Sequence, residues 1–178
     1  VARHLADLPP DLTFVDLGCG DFTVGQQLAP LCGRLIACDI VAATIEENRA
    51  LFPLPGVTFR VLDLVTDPLP EGDVILVRQV LQHLRNDDVA AFVRKMEAHP
   101  TCRRLIVTEH LSARPDFRPN RDKLSGAGIR VSLGSGLDLA APPFSLRHLG
   151  AEILNETNAP SGVEPALIRT TAYRLRDN

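Results

Sequence analysis

No apolar run in this chain approaches the length of a membrane span. Stretches such as Leu35-Ile36-Ala37-Cys38 and Val74-Ile75-Leu76-Val77 stop after four residues, against the roughly 20 that cross a bilayer. A transmembrane helix is excluded, and no membrane partner is expected. Cysteine is scarce, and Cys19, Cys32, Cys38 and Cys102 form no C-x-x-C pair. They are expected to be reduced, buried residues of a cytoplasmic protein, without disulfide or metal. An excess of basic charge is also missing: 19 Lys plus Arg face 22 acids, for a net charge of −3. A phosphate backbone meets no positive field, so nucleic acid is not an expected partner. No charged-then-apolar leader opens the chain. It begins with Val1 rather than Met and reaches a strand pattern by Thr13, so a native N-terminal segment is expected to be missing.

What is present is 178 residues at 45% apolar content, enough for one domain with its own core. Nearly continuous apolar runs at 13–17, 34–38, 57–62, 74–77 and 105–108 alternate with helical patterns, as in successive βα units whose strands are covered on both faces. Val24, Leu28 and Leu31 place a stripe on a helix ending near Cys32-Gly33. Asp87 and Asp88 favour the start of another helix, in which Val89, Phe92, Val93 and Met96 form the stripe and Pro100 the stop. Asp67-Pro68-Leu69-Pro70 resists helix, so the third crossover is expected to be a loop or a single turn. Residues 112–143, rich in Gly, Pro, Ser and charge, form an insertion longer than an ordinary connection, read as either a functional lid or a partly disordered insertion. A short helix at 145–150 and strands at 151–157 and 166–174 follow, the last two joined in a hairpin around Pro160, Ser161 and Gly162.

Chemistry concentrates in Phe14-Val15-Asp16-Leu17-Gly18-Cys19-Gly20-Asp21, a strand running into a glycine turn that opens a helix. Such a turn allows close backbone approach and presents unpaired N–H groups. The dinucleotide fingerprint G-x-G-x-x-G needs a third glycine where Thr23 stands, which argues against an NAD-linked oxidoreductase. An acid two residues before a G-x-G turn resembles the first motif of the class I S-adenosylmethionine-dependent methyltransferases. The likeness continues through Asp39, Asp63, Leu69-Pro70-Glu71-Gly72-Asp73 and Val80-Leu81-Gln82-His83-Leu84.

This resemblance implies an α/β, doubly wound, seven-stranded sheet of order 3-2-1-4-5-7-6 with strand 7 antiparallel. It implies S-adenosyl-L-methionine as cofactor, held by Asp16, Gly18, Cys19, Gly20, Asp39, Ile40, Asp63, Leu64 and Arg78. In that family Asp39 would take the ribose hydroxyls and Asp63 the adenine amino group, with Ile40 against the adenine face. Phe22 stands where the family often has glycine, and it either narrows the methionine channel or packs beneath the helix.

Acceptor-facing groups are expected at the ends of the fourth and fifth strands and on the insertion. Glu109, His110 and His83 are the candidate catalytic groups, though adjacent residues of a strand point to opposite faces, so Glu109 and His110 have separate jobs. Asn120, Arg121, Lys123 and Arg130 are the candidate substrate contacts. The N/D-P-P-F/Y motif of amino-directed nucleobase methyltransferases is absent after the fourth strand. The expected activity is therefore methyl transfer to a small or soluble acceptor, at oxygen rather than a nucleobase. The alternative is a non-catalytic methyltransferase-like partner, kept open by Phe22.

Overall fold

The alternation of apolar runs and amphipathic helices builds one seven-stranded sheet. The computed structural model describes residues 2–159 and 165–177. A short helix, α1 (Ala2–Ala6), buries Leu5 and leads into β1 (Thr13–Leu17). Helix α2 (Gly25–Leu28) tightens into a 3-10 turn, Ala29–Leu31, where Pro30 ends the regular bonding. Then come β2 (Arg34–Asp39), α3 (Ala42–Leu51), β3 (Val57–Val61), β4 (Val74–Arg78), a 3-10 turn Leu81–His83, α4 (Asn86–Ala98) and β5 (Arg104–Ser112). The insertion holds one 3-10 turn, Arg130–Leu133, before β6 (Gly150–Asn158) and β7 (Ala166–Arg174).

The strand order is β3-β2-β1-β4-β5-β7-β6. β1 to β5 pair in parallel, and β7 pairs antiparallel with both β5 and β6. The inner strands point alternate residues into two apolar layers. Val15, Leu17, Ile36, Ile75 and Val77 join the layer beneath α4, whereas Phe14, Leu35, Ala37, Val74 and Leu76 join the layer beneath α1, α2 and α3. Helix α4 carries Asp87 and Asp88 in its first turn and buries Val89, Phe92, Val93 and Met96. Burying each such side chain contributes roughly 1.5–3 kcal/mol.

No helix forms between β3 and β4. The Lys95 ammonium, from α4, donates instead to the carbonyls of Leu64 (3.1 Å) and Asp67 (2.6 Å) in that loop. Two expectations need correction. The helix expected at 145–150 does not form: Ser145 takes φ 48° at the end of a turn, Leu146 is buried while Arg147 is exposed, and the Leu149 N–H donates to the Arg174 carbonyl. β5 also runs well past 105–108, because β7 pairs with it from Arg104 to Ser112. The turn expected at Pro160, Ser161 and Gly162 lies outside the described residues. Among the described residues no helix is long and apolar enough to cross a membrane.

Candidate active site

The parallel strands end together, and period-two geometry sorts their last residues. Asp16 on β1, Asp39 on β2, Arg78 on β4 and His110 on β5 share the sheet face that carries Phe14, Ala37, Leu76 and Ile106. A charged row thus crosses the carboxyl edge, where ligands of open α/β sheets bind.

Asp16 is buried, and burial pushes its carboxyl up to about 6, against the pull of Arg78 and with a further push from Asp39. It accepts no hydrogen bond from any described residue. No fully buried polar side-chain atom among those residues lacks a partner, so the Asp16 oxygens are open at their tips. The chain then turns through Gly18 (φ 80°) and Gly20 (φ 53°), conformations costly to other residues. A Cβ on Gly18 would lie 2.2 Å from Cγ2 of Val80, whereas one on Gly20 would meet nothing within 4 Å. One glycine lets the β4 loop close down, and the other leaves open backbone. Asp39 holds the turn: its Oδ2 accepts from the Gly20 N–H at 3.0 Å and its Oδ1 from the Val41 N–H at 2.9 Å.

Beside this turn lies a cavity of about 360 Å³ lined by Leu17, Gly18, Cys38, Asp39, Ile40, Leu62, Asp63, Leu64, Val65, Arg78, Gln79, Val80 and Leu84. Six of the expected cofactor contacts therefore line it: Gly18, Asp39, Ile40, Asp63, Leu64 and Arg78. Ile40 is 64% exposed, a large apolar side chain held at the rim. Asp63 also has the turn role that its position allows, since its Oδ1 accepts from the Val65 N–H at 2.8 Å. Asp16, Cys19 and Gly20 lie outside the lining. The Cys19 side chain packs into the core, where Nδ2 of Asn48 from α3 reaches its Sγ at 4.0 Å and burial above all pushes its thiol up to about 12.

Sequence reasoning did not select Val80, Val65 or Leu84. Which side chains fold over a glycine turn depends on the path of the β3 and β4 loops, and no local pattern encodes that path.

Phe22 faces away from the cavity. It takes φ 60°, a conformation that favours glycine, and its ring is fully buried 5.2 Å from that of Phe52 and 4.7 Å from that of Phe59. A Cβ on Gly25 would lie 2.2 Å from the same ring. The bulk at 22 is accommodated by the lack of a side chain at 25.

Glu109 and His110 point to opposite faces, as adjacent strand residues must. Glu109 is buried, accepting from the backbone N–H groups of Leu81 (3.0 Å) and Gln82 (3.2 Å). Burial pushes it up to about 8, although these bonds and the Arg130 guanidinium oppose the shift. It thereby pins the turn that follows β4. His110 and His83 both touch Gln82, through Nδ1 of His110 to Oε1 at 2.9 Å and Nε2 of His83 to Nε2 at 3.4 Å. Burial lowers the His110 imidazole below its ordinary value, and His83 adds to the shift.

The insertion is fastened to the body. Arg130 is 1% exposed, and its guanidinium donates to the carbonyls of Leu81, Gln82, Leu84 and Arg121 and to Oδ1 of Asn86, at 2.7–3.2 Å. Asn120 is equally committed, donating to the carbonyls of Asp138, Ala141 and Pro142. Those two side chains, expected to meet substrate, instead stitch the insertion to itself and to the post-β4 turn. Arg121 is exposed and donates to the Leu133 carbonyl. Lys123 donates to the His83 carbonyl at 3.0 Å, which brings it beside the histidine pair.

A methyltransferase domain family matches residues 14–100. A probable S-adenosylmethionine-dependent methyltransferase of Mycolicibacterium smegmatis is 30% identical over 166 residues, covering 92% of this chain. Residues 14–100 thus carry a methyltransferase domain, and nearly the whole chain is similar to an S-adenosylmethionine-dependent methyltransferase. The chain spans 56% of the length of that curated relative. Among solved structures, the N-methyltransferase NodS of Bradyrhizobium japonicum WM9 matches with TM-score 0.62 at 16% identity, over 97% of this chain and 92% of NodS. Magnesium protoporphyrin IX methyltransferase of Synechocystis PCC 6803, solved with bound SAM, matches with TM-score 0.58 at 22% identity, over 97% and 76% of the two chains. The [4+2]-cyclase SpnF matches with TM-score 0.65 at 15% identity, over 97% and 80%. These structures share this fold, although two are named methyltransferases and the third a [4+2]-cyclase, so the fold alone does not choose the reaction.

Proposed function

We propose that this chain binds S-adenosylmethionine at the carboxyl edge of β1, β2 and β4 and transfers its methyl to a small or soluble acceptor, at oxygen rather than at a nucleobase. The observation that carries this reading is the cradle itself: an open-tipped buried carboxyl at Asp16, next to a Gly18 whose missing side chain lets Val80 close beside the cavity. The residues present fit the cofactor. Asp16 offers charge to a cationic group, Asp39 and Asp63 offer carboxylate acceptors to hydroxyl and amino donors, Ile40 offers an apolar face, and Arg78 balances the acids. Cys19 and Gly20 contribute backbone and Leu64 contributes cavity wall.

When bound, the cofactor supplies a methyl on a sulfonium, and transfer is an in-line displacement in which the positive charge disappears. The chain's part is to align acceptor and methyl, exclude water, and take the acceptor's proton where it has one. His110 is the group placed for that proton, since it stands on the charged face and is half-buried, whereas Glu109 is spent on the backbone of the turn. Lys123 and Arg121 remain the insertion's polar groups for acceptor contact. A non-catalytic relative loses the feature that suggested it, because the Phe22 ring fills the core. Titration calorimetry with S-adenosylmethionine, S-adenosylhomocysteine and NAD tests the reading. Binding of the first two and not the third is expected, and binding of NAD alone would overturn it.

A further inference from the structure

Gln82 lies between the two histidines, and its hydrogen bonds fix which ring nitrogens carry protons. The backbone N–H of His110 points at one end of the Gln82 amide, at 3.2 Å. A backbone N–H can only donate, so that end is the oxygen and the other is the NH2 group. The same oxygen lies 2.9 Å from Nδ1 of His110, so Nδ1 must donate to it and carries the proton. At the other end, the NH2 group faces Nε2 of His83 at 3.4 Å and the Gln79 carbonyl at 3.5 Å. A donor there requires Nε2 of His83 to be bare. Nδ1 of His83 faces the Gly126 carbonyl at 3.3 Å and is thereby the protonated nitrogen. For neutral rings every contact agrees with one arrangement, both protonated on Nδ1. Nε2 of His110 is left bare, with no hydrogen-bond partner among the described residues, on the same sheet face as Asp16 and Arg78.

We infer that Gln82 is a positioning residue that holds His110 as its Nδ1–H tautomer, so that Nε2 of His110 is the nitrogen that accepts the acceptor's proton. The base role rests on the transferase reading above; the tautomer does not. A bare Nε2 can take a proton, whereas an Nε2–H has no lone pair to receive one, so the orientation of this one amide decides whether the ring is usable as a base. Gln82 is 4% exposed, and its backbone N–H is held by Glu109, so the amide has little freedom to turn.

Long-range ¹⁵N–¹H correlation spectra of the histidine rings in the whole chain near pH 8 test this directly. His110 is expected to show the downfield shift of an unprotonated nitrogen at Nε2 and the upfield shift of a protonated one at Nδ1. Q82L removes both ends of the amide and is expected to let His110 revert toward the Nε2–H form that free imidazole side chains prefer. Q82E keeps the oxygen and loses the NH2 donor; His110 should remain Nδ1–H while the His83 shifts change, and this variant serves should Q82L fail to fold. A wild-type His110 in the Nε2–H form, or a tautomer unmoved by Q82L, would overturn the proposal, as would a Q82E variant that changes His110 and spares His83. S-Adenosylhomocysteine titrations separate the two levels. Loss of binding in wild type sinks the transferase reading and with it the base role, while the tautomer stands or falls on the spectra. Loss in Q82L alone would put Gln82 in the cofactor cradle and refute positioning.

Discussion

Asp16 and Asp39 differ in how the protein already uses them, and that difference sets what their removal does. Asp39 accepts two backbone N–H groups and still faces the cavity. Hydrogen bonds to charged groups contribute roughly 1.5–3 kcal/mol, so Asp39→Ala should weaken S-adenosylhomocysteine binding by about 10- to 150-fold in calorimetry, while a cooperative melt shows that the fold survives. Asp16 has no side-chain hydrogen bond to lose among the described residues, only the pull of Arg78. Its carboxyl, raised to about 6 chiefly by burial, is neutral in the empty protein below that pH and ionised above it. A cationic ligand group favours the ionised form and draws the value down, so affinity should fall as pH drops through 6. In Asp16→Asn the same titration series should be flat; a wild-type affinity independent of pH between 5 and 7.5 would remove Asp16 from contact with a cation. Asp16, Gly18 and Asp39 were legible in the sequence because they sit in one strand–turn–helix motif and its echo on the next strand. Gln82 was not, since its partners lie across the space between β4 and β5.

At the scale of elements, one aromatic ring joins the turn before α2 to β3 and to the residue that ends α3. Phe22→Ala should destabilise the protein by about 3–5 kcal/mol, the usual cost of deleting a buried Phe. Gly25→Ala should also destabilise it, because the added methyl meets the ring at 2.2 Å. The double variant should cost less than the sum of the two, since removing the ring removes the collision. Additive denaturant-melt energies would show that the two sites do not share this space. The insertion makes a second case. Arg130→Ala strands the carbonyls of Leu81, Gln82 and Leu84, and leaving a buried acceptor unsatisfied costs roughly 1–3 kcal/mol. The expected readout is a lower melting temperature. Lysine at 130 should not restore it, because an ammonium cannot reach the same fan of acceptors. A melting temperature equal to wild type in both variants would return Arg130 to the list of acceptor contacts.

For the whole molecule, the two raised carboxyls make stability depend on pH. Folded Asp16 and Glu109 titrate at about 6 and about 8, whereas the unfolded chain releases those protons near pH 4. Between these values the folded state binds more protons, so stability is greatest below the unfolded value and declines as pH rises until both folded groups are ionised. Denaturant melts should give a lower midpoint at pH 8.5 than at pH 5.5, and Glu109→Gln should flatten the upper part of that slope. A midpoint that rises toward pH 8.5 would mean that Glu109 is ionised throughout.

The sequence by itself determined the alternation of strands and helices and the position of the glycine turn, because apolar periodicity and turn chemistry act over a few residues and the chain carries them locally; the strand order followed only from the family resemblance that those motifs carry. It also marked residues 112–143 as unusual, but as a lid or a partly disordered insertion. Only the tertiary structure decided that Asn120 and Arg130 bind the protein's own carbonyls, that the Phe22 ring enters the core, and that no helix forms at 145–150. Each of these depends on which distant groups arrive alongside. A buried guanidinium needs acceptors from several segments, and a backbone N–H needs a neighbouring strand; neither requirement leaves a trace in the spacing of residues along one chain.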